Sequence, residues 1–263
     1  MNTPSLSLRP LGKTGIDISP VTLGTVKWGR NQGLKFADFE LPDDATLHAL
    51  LDIAAGAGVN HLDTAPAYGI SEERVGKLLA ERSDGGDFLI TTKAGENFAD
   101  GESTYDFSAK GLRESVERSL KRLRREALDI VMVHSFQDDL HVIEKTPALE
   151  TFALLKEEGK VRATGFSTMT IEGGMLAVER CDVLMVPYNL SYQLHRPVID
   201  RAAELGKGVI IKRGLFSGGS FGAGDLEKLV QAVFEVPGAT SLAVGTISPA
   251  HLRDDIDAVS EVF

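Results

Sequence analysis

The chain has 263 residues, which suits one large barrel or two small domains, since single α/β barrels run to about 250 residues. Its apolar fraction of 43% and charged fraction of 25% are typical of a globular protein. The net charge of −10 opposes a nucleic-acid surface, because phosphates would be repelled. The single cysteine, Cys181, excludes an internal disulfide and a multi-cysteine metal site, so no metal is expected.

The first ten residues lack the basic start and apolar core of a signal peptide. No apolar run approaches the roughly 20 residues that are needed to span a bilayer. We therefore expect a cytoplasmic protein without a membrane partner. The sequence does not indicate an oligomeric state.

Short β-branched runs alternate with longer amphipathic stretches along the chain. The runs 6–11 and 16–19 flank the turn-forming segment 12–15 and predict an N-terminal β-hairpin. Eight further strands are predicted, at 21–24, 60–63, 88–93, 129–134, 163–167, 183–187, 208–212 and 241–245.

A helical pattern follows the predicted strands. In the segment 43–57, apolar residues recur at helical spacing. Thr146-Pro147 and Ser248-Pro249 each place a capping hydroxyl before a proline at the first helical position. Eight strand–helix units predict a closed (β/α)8 TIM barrel spanning 1–263 as one domain. A doubly wound open sheet is disfavoured because no Gly-x-Gly-x-x-Gly turn follows the first strand.

Ionisable side chains end three successive predicted strands. These are Asp63, Lys93 and His134, and Tyr68 follows Asp63 by five residues. The C-terminal strand ends of such a barrel form one mouth. A phenol has a pKa of about 10, so we expect a nearby ammonium to lower it and a carboxylate to hold that ammonium charged. An imidazole beside them can bond a carbonyl oxygen, so the set predicts proton delivery to that oxygen.

At these residues the chain resembles the aldo-keto reductase family. The opening 8–15 is similar to the family's N-terminal hairpin. His61-Leu62-Asp63-Thr64-Ala65-Pro66-Ala67-Tyr68-Gly69 is similar to its specific Asp-Thr-Ala-x-x-Tyr-Gly signature. Thr91-Thr92-Lys93 and Val133-His134-Ser135 resemble the lysine and histidine segments. The stretch 159–167 resembles the approach to the nicotinamide amide site.

The resemblance implies an NADPH-dependent reduction of an aldehyde or ketone, reversible as alcohol oxidation. In the family's scheme the nicotinamide gives hydride to the carbonyl carbon and Tyr68 protonates its oxygen. Lys93, paired with Asp63, would tune Tyr68, and His134 would orient the carbonyl. The cofactor contacts implied are Gly24, Thr25, Val26, Ser167, Thr168, Tyr188, Lys212, Arg213, Gly214, Leu215, Ser217, Gly245, Thr246, His251 and Asp255.

Several cofactor positions depart from the family pattern. Thr168 stands where Asn is usual, and Met185 stands where Gln is usual. Lys212 and Arg213 replace an aromatic-Ser pair, and we interpret these cations, with the glycine-rich segment 214–224, as a clamp for the cofactor's pyrophosphate.

The last strand departs further. Gly245 and His251 occupy positions where a Lys and an Arg often meet the 2′-phosphate, and Asp255 replaces an adenine-contacting Asn. The family resemblance implies NADPH as the cofactor, with NADH as the alternative.

The substrate is expected to be a small carbonyl compound. Because the chain ends soon after the eighth helical pattern, we expect an open substrate site built from Trp28, Tyr68, His134 and the first and fourth loops. Two other functions compete with the reductase. A barrel lyase would use Lys93 as a Schiff base, and a sensor would bind NADPH without turnover.

Overall fold

The computed structural model of the chain describes residues 5–34, 39–136, 138–215 and 224–263. Its strands are β1 (Arg9–Pro10), β2 (Asp17–Ile18), β3 (Val21–Gly24), β4 (His61–Asp63), β5 (Leu89–Ala94), β6 (Glu96–Ala99), β7 (Glu102–Tyr105), β8 (Leu128–His134), β9 (Val161–Ser167), β10 (Val183–Pro187), β11 (Gly208–Lys212) and β12 (Ser241–Val244). Eight of them, β3, β4, β5 and β8 to β12, pair in parallel, and β12 closes the barrel on β3. The two short pairs, β1–β2 and β6–β7, are antiparallel hairpins outside the barrel.

The helices lie between the barrel strands. They are α1 (Val26–Gly29), α2 (Asp44–Gly56), α3 (Ser71–Ala80), α4 (Ala109–Leu123), α5 (Asp139–Lys145), α6 (Ala148–Glu157), α7 (Ile171–Arg180), α8 (Arg196–Leu205), α9 (Asp225–Phe234) and α10 (Pro249–Ser260), with a 3₁₀ turn at Pro66–Tyr68. Within the described ranges, no helix has the length and apolar character that crossing a membrane requires.

The predicted barrel and N-terminal hairpin are confirmed. Each of the eight predicted core strands is present, and its ends lie within two residues of the predicted ones. Ser248 caps α10 as predicted, since its Oγ accepts from His251 N at 3.3 Å. The prediction at Thr146-Pro147 was wrong by one residue: Pro147 itself takes the capping position, and α6 begins at Ala148.

The barrel interior is closed at one end by the β1–β2 hairpin. Leu11, Ile16 and Ile18 form a buried cluster with inward residues of the strands, among them Ile130 and Met185. A side chain at Gly208, the first residue of β11, would collide with Leu11 at 2.6 Å. The hairpin therefore covers the N-terminal end of the barrel, and the strand ends that carry the predicted site lie opposite.

Candidate active site

Lys93 is the centre of the predicted site. Its ammonium donates to Asp63 Oδ1 at 2.5 Å, to the Thr64 carbonyl at 3.0 Å and to the Tyr68 hydroxyl at 3.1 Å. These three contacts use all three ammonium donors. Since the Tyr68 oxygen accepts from Lys93, the phenolic proton is left to be donated elsewhere.

The ion pair of Asp63 and Lys93 is buried, with side-chain exposures of 7% and 1%. Burial lowers the pKa of Lys93, but the nearby Asp63 and Tyr68 outweigh it, and the pKa of Lys93 is raised. Its ammonium is therefore charged throughout the neutral range.

The expected lowering of the phenol's pKa is not the net result. Lys93 does act in that direction, yet withdrawal from solvent is the larger effect and the pKa of Tyr68 is raised. The sequence could not reveal this balance, because it depends on how much water reaches the hydroxyl. A raised pKa keeps Tyr68 protonated at neutral pH, as a proton donor requires.

His134 lies beside Tyr68, with ring centroids 6.0 Å apart in an edge-on arrangement. Its Nδ1 is 3.0 Å from the Glu96 Oε2 atom, in an oblique ion-pair approach rather than an aligned hydrogen bond. Burial is the largest effect on His134, and although Glu96 opposes it, the pKa of His134 is lowered from its ordinary value. The carboxylate of Glu96 is itself stabilised, because His134, Ser103 and Arg30 outweigh burial and lower its pKa.

A layer of polar side chains supports the site from inside the barrel. His61 and Thr91 lie two residues before Asp63 and Lys93, and alternate residues of a strand share one face. The His61 ring is within 2.8 Å of Thr22 Oγ1 through Nδ1 and of Thr91 Oγ1 through Nε2. Burial and Lys93 lower the pKa of His61 to about 3, so the ring is neutral. This layer adds no charge beneath the ion pair.

A cavity of about 400 Å³ opens at this end of the barrel. Tyr68, Lys93 and His134 line one side of it, together with Glu96. The opposite side is lined by residues that end β9 and β11, among them Ser167 and Lys212, and by Met185 of β10. Tyr105 and Phe136, with ring centroids 5.1 Å apart, form an aromatic part of the wall.

The sequence of this barrel matches the family model described as Aldo/keto reductase family over residues 20–232. The chain belongs to the aldo/keto reductase family. A crystal structure of PA4992, an aldo-keto reductase candidate from Pseudomonas aeruginosa, superposes with a TM-score of 0.90 at 42% identity, covering 98% of each chain.

Curated relatives match a shorter part. L-galactose dehydrogenase of Arabidopsis thaliana is 34% identical over 71% of this chain and 56% of its own length. Aldo-keto reductase YhdN of Bacillus subtilis is 34% identical over 68% of this chain and 53% of its own length. The chain thus spans little more than half the length of these curated relatives.

On the side of the cavity formed by the ends of β9 and β11, Lys212 and Ser167 are in direct contact. Lys212 Nζ is 2.8 Å from Ser167 Oγ and 3.7 Å from Met169 Sδ. Burial and the neighbouring Arg213 lower the pKa of Lys212 to about 7. Among the described residues, no carboxylate lies within 4.0 Å of Lys212 or Arg213, so neither has an ion-pair partner there.

Two other predicted contacts lie deeper in the fold. Thr168 is fully buried, and its hydroxyl has no hydrogen-bond partner among the described residues. Tyr188 is 3% exposed, and its backbone nitrogen donates to the Lys212 carbonyl at 3.2 Å. Both lie beside the ends of β9 and β10, next to the Lys212 side of the cavity.

The residues predicted around the first strand are close to Asp63. Gly24 ends β3, Val26 begins α1, and Thr25 Oγ1 between them donates to the Asp63 carbonyl at 2.9 Å. Trp28, predicted as a substrate contact, is instead fully buried within α1 and does not line the cavity. At the neighbouring Gly29, α1 packs closely against the start of α3, since a Cβ atom there would lie 2.1 Å from Ser71 N.

The segment after β11 is only partly described. Gly214 is buried against Leu242, and Leu215 packs against the core. Ser217 lies outside the described residues, as does most of the predicted glycine-rich clamp.

At the last strand, Gly245 is exposed beyond β12, and the hydroxyl of the buried Thr246 accepts from Ser248 N at 3.0 Å. His251 is exposed in the first turn of α10, and Asp255 lies one turn further along. Burial and the adjacent Asp254 raise the pKa of Asp255 to about 7. These residues follow β12 in the chain, and none of them lines the cavity wall.

The main feature that the sequence interpretation missed is the β6–β7 hairpin, which brings Glu96 to His134. Asp100 and Gly101 both have positive φ, at 51° and 84°, which is typical of a tight hairpin turn. An Asp-Gly pair between two runs is a strong hairpin signal, so this element could have been predicted.

Proposed function

We propose that this protein is an NAD(P)H-dependent oxidoreductase that reduces an aldehyde or ketone to an alcohol, reversibly, with Tyr68 as the proton donor. The observation that carries the proposal is the hydrogen-bond set of Lys93. It holds the phenol of Tyr68 at the cavity with the phenolic proton uncommitted.

The nicotinamide, when bound, supplies the hydride. Tyr68 gives its proton to the carbonyl oxygen as negative charge develops there. The Lys93 ammonium, 3.1 Å away, stabilises the phenolate that remains, and Asp63 keeps that ammonium charged and oriented. His134 adjoins the same oxygen and positions it by hydrogen bonding.

The ends of β9 and β11 form the proposed cofactor side of the cavity, and their residues suit a dinucleotide. Lys212 and Arg213 are adjacent basic residues without carboxylate partners among the described residues, which suits a pyrophosphate site. Ser167, which lines the cavity, is a donor suited to the carboxamide, and we propose the neighbouring Thr168, whose buried hydroxyl has no partner among the described residues, as a second one. NADPH is the cofactor expected from the family, and NADH is the second candidate because Gly245 and His251 replace the usual cations.

The substrate proposed is a small carbonyl compound that reaches the cavity from solvent. The protein is expected to work in the cytoplasm, without nucleic-acid or membrane partners.

A Schiff-base lyase is disfavoured by the state of Lys93. An amine must be neutral to attack a carbonyl, whereas the pKa of Lys93 is raised and its nitrogen makes three hydrogen bonds.

A paired titration tests the proposed function. Quenching of the fluorescence of Trp28, the one tryptophan, is followed with NADPH and with NADH, and a panel of aldehydes and ketones is then assayed with the tighter cofactor. We expect saturable binding of at least one cofactor and turnover of reactive aldehydes. Binding without turnover on the whole panel would support the sensor, and binding of neither cofactor would contradict the proposal.

A further inference from the structure

Glu96 is the one carboxylate that faces the ring of His134 among the described residues. It is the first residue of β6 and follows Lys93 by three positions, across the turn at Gly95. Gly95 has a φ of 113°, and a side chain there would collide with the Phe107 ring at 2.3 Å. The turn that carries Glu96 to the cavity therefore depends on glycine.

The hairpin holds the carboxylate in place. Glu96 Oε1 accepts from Ser103 Oγ at 2.6 Å across the two strands, and Arg30 Nη1 lies 3.9 Å from the same oxygen. Arg30 also stacks on the Phe98 ring at 3.5 Å and donates to the Ala67 carbonyl at 3.0 Å. The side chain of Glu96 is only 12% exposed, so its charge is weakly screened where it meets His134.

The position of the carboxylate decides which ring nitrogen carries a proton. An anion 3.0 Å from Nδ1 repels a lone pair there and favours N–H. A neutral imidazole has only one N–H, so its Nε2 is then an acceptor. Nε2 becomes a donor toward a carbonyl oxygen only when the whole ring is protonated.

We propose that Glu96 is a positioning residue that holds Nδ1 of His134 protonated, so that His134 assists carbonyl reduction as an imidazolium. This inference rests on the proposed reductase function. Glu96 acts through His134 and does not itself touch the reacting atoms.

Other charges also bear on this pair. The titratable and charged groups around His134 and Glu96 in the described residues are Tyr68, Lys93 on β5, Tyr105 on β7, Lys212 on β11 and Arg30 after α1. Lys93 and Lys212 lower the pKa of His134, and burial acts in the same direction. Glu96 opposes these effects, but the net pKa of His134 is below its ordinary value, so the imidazolium forms on the acidic side of neutral pH.

The first test determines the tautomer of His134 directly, without an activity measurement. Long-range ¹H–¹⁵N spectra are recorded on histidine-labelled protein, with a His134→Gln variant to assign the signal among the six histidines. Wild-type His134 is expected as the Nδ1–H form when neutral. In Glu96→Gln the amide can donate to Nδ1, so the Nε2–H form is expected, and the pKa of His134 should fall by about one to two units.

The second test is the pH dependence of kcat/KM for an aldehyde at saturating cofactor. In the wild type, reduction should decline about tenfold per pH unit above the pKa of His134. In Glu96→Gln a neutral donor exists at every pH, so this decline should disappear, with a plateau about tenfold lower because the hydrogen bond is no longer charge-assisted. Glu96→Asp should retain the decline.

Glu102→Gln is the matched control, since it removes the same charge from an exposed position of the same hairpin. It should change neither the spectrum of His134 nor the profile. An Nε2–H tautomer in the wild type, or the same tautomer and profile in Glu96→Gln, would overturn the proposal. Absence of carbonyl reduction with the predicted tautomer change would refute the reductase function and leave the Glu96–His134 assignment standing.

Discussion

The two sides of the cavity are built differently. At the ends of β4 and β5, Lys93 uses each of its donors within the site. At the ends of β9 and β11, Lys212 and Arg213 have no carboxylate partner among the described residues, and the hydroxyl of Thr168 is buried without a partner. The side with Lys93 is therefore paired within the chain, whereas the side with Lys212 has basic groups that suit an anionic ligand.

Removing the proton donor should have the largest effect on activity. Tyr68→Phe deletes the hydroxyl that Lys93 holds at the cavity, so kcat for carbonyl reduction should fall by about 10²- to 10⁴-fold. Cofactor binding, measured by fluorescence titration, should stay within about twofold, because the ring remains in place. Tyr192→Phe, at an exposed position after β10, is the control and should keep full activity. Retained turnover in Tyr68→Phe would mean that another group supplies the proton.

Breaking the buried ion pair should chiefly cost stability. Asp63→Asn leaves the charged Lys93 without its anion, so the free energy of unfolding in urea should fall by about 3–5 kcal/mol. The control is Asp52→Asn, which breaks an ion pair with Arg82 at a carboxylate that is 69% exposed. That change should cost about 1 kcal/mol or less. Equal losses of unfolding free energy in the two variants would show that the Asp63–Lys93 pair stabilises the fold no more than the exposed pair does.

A substitution of Lys212 tests whether this residue binds the cofactor. Its pKa of about 7 means that the ammonium is present below pH 7 and is lost as the pH rises. The dissociation constant of NADPH should therefore increase between pH 6 and pH 8. In Lys212→Met, affinity at pH 6 should be about tenfold weaker and nearly independent of pH. Lys207→Met, just before β11 at the opposite end of the barrel, should behave as wild type. Unchanged NADPH affinity in Lys212→Met would remove Lys212 from the cofactor site.

The smallest expected effect is at Asp255. With a pKa of about 7, its carboxyl is neutral below that pH and becomes an anion above it. Asp255→Asn should thus tighten NADPH binding by about two- to fivefold at pH 8 and change little at pH 6. Asp257→Asn, exposed on the same helix, is the control. A gain of the same size at pH 6 would show that titration of Asp255 is not the cause.

Much of the fold could be predicted from the sequence because it follows from local pattern. Buried parallel strands such as β8 are nearly continuous apolar runs, and the change from polar to apolar marks their ends within a residue or two. Asp63, Lys93 and His134 were placed at one mouth for the same reason, since the register of a parallel barrel brings successive strand ends together.

What could not be predicted depends on packing between distant segments. Glu96 was missed because its role comes from a hairpin that folds back over the mouth. The pKa of Tyr68 depends on burial that no local pattern reports. Trp28 was expected at the substrate, yet the close packing of α1 at Gly29 places it in the core.

The most direct test of the account measures the alcohol formed per cofactor oxidised, with 4-nitrobenzaldehyde as substrate and product quantified by chromatography. Wild-type protein should produce one alcohol for each NADPH or NADH consumed. Cofactor that stays unoxidised while borohydride traps the aldehyde on Lys93 would contradict the reductase function and favour Schiff-base chemistry.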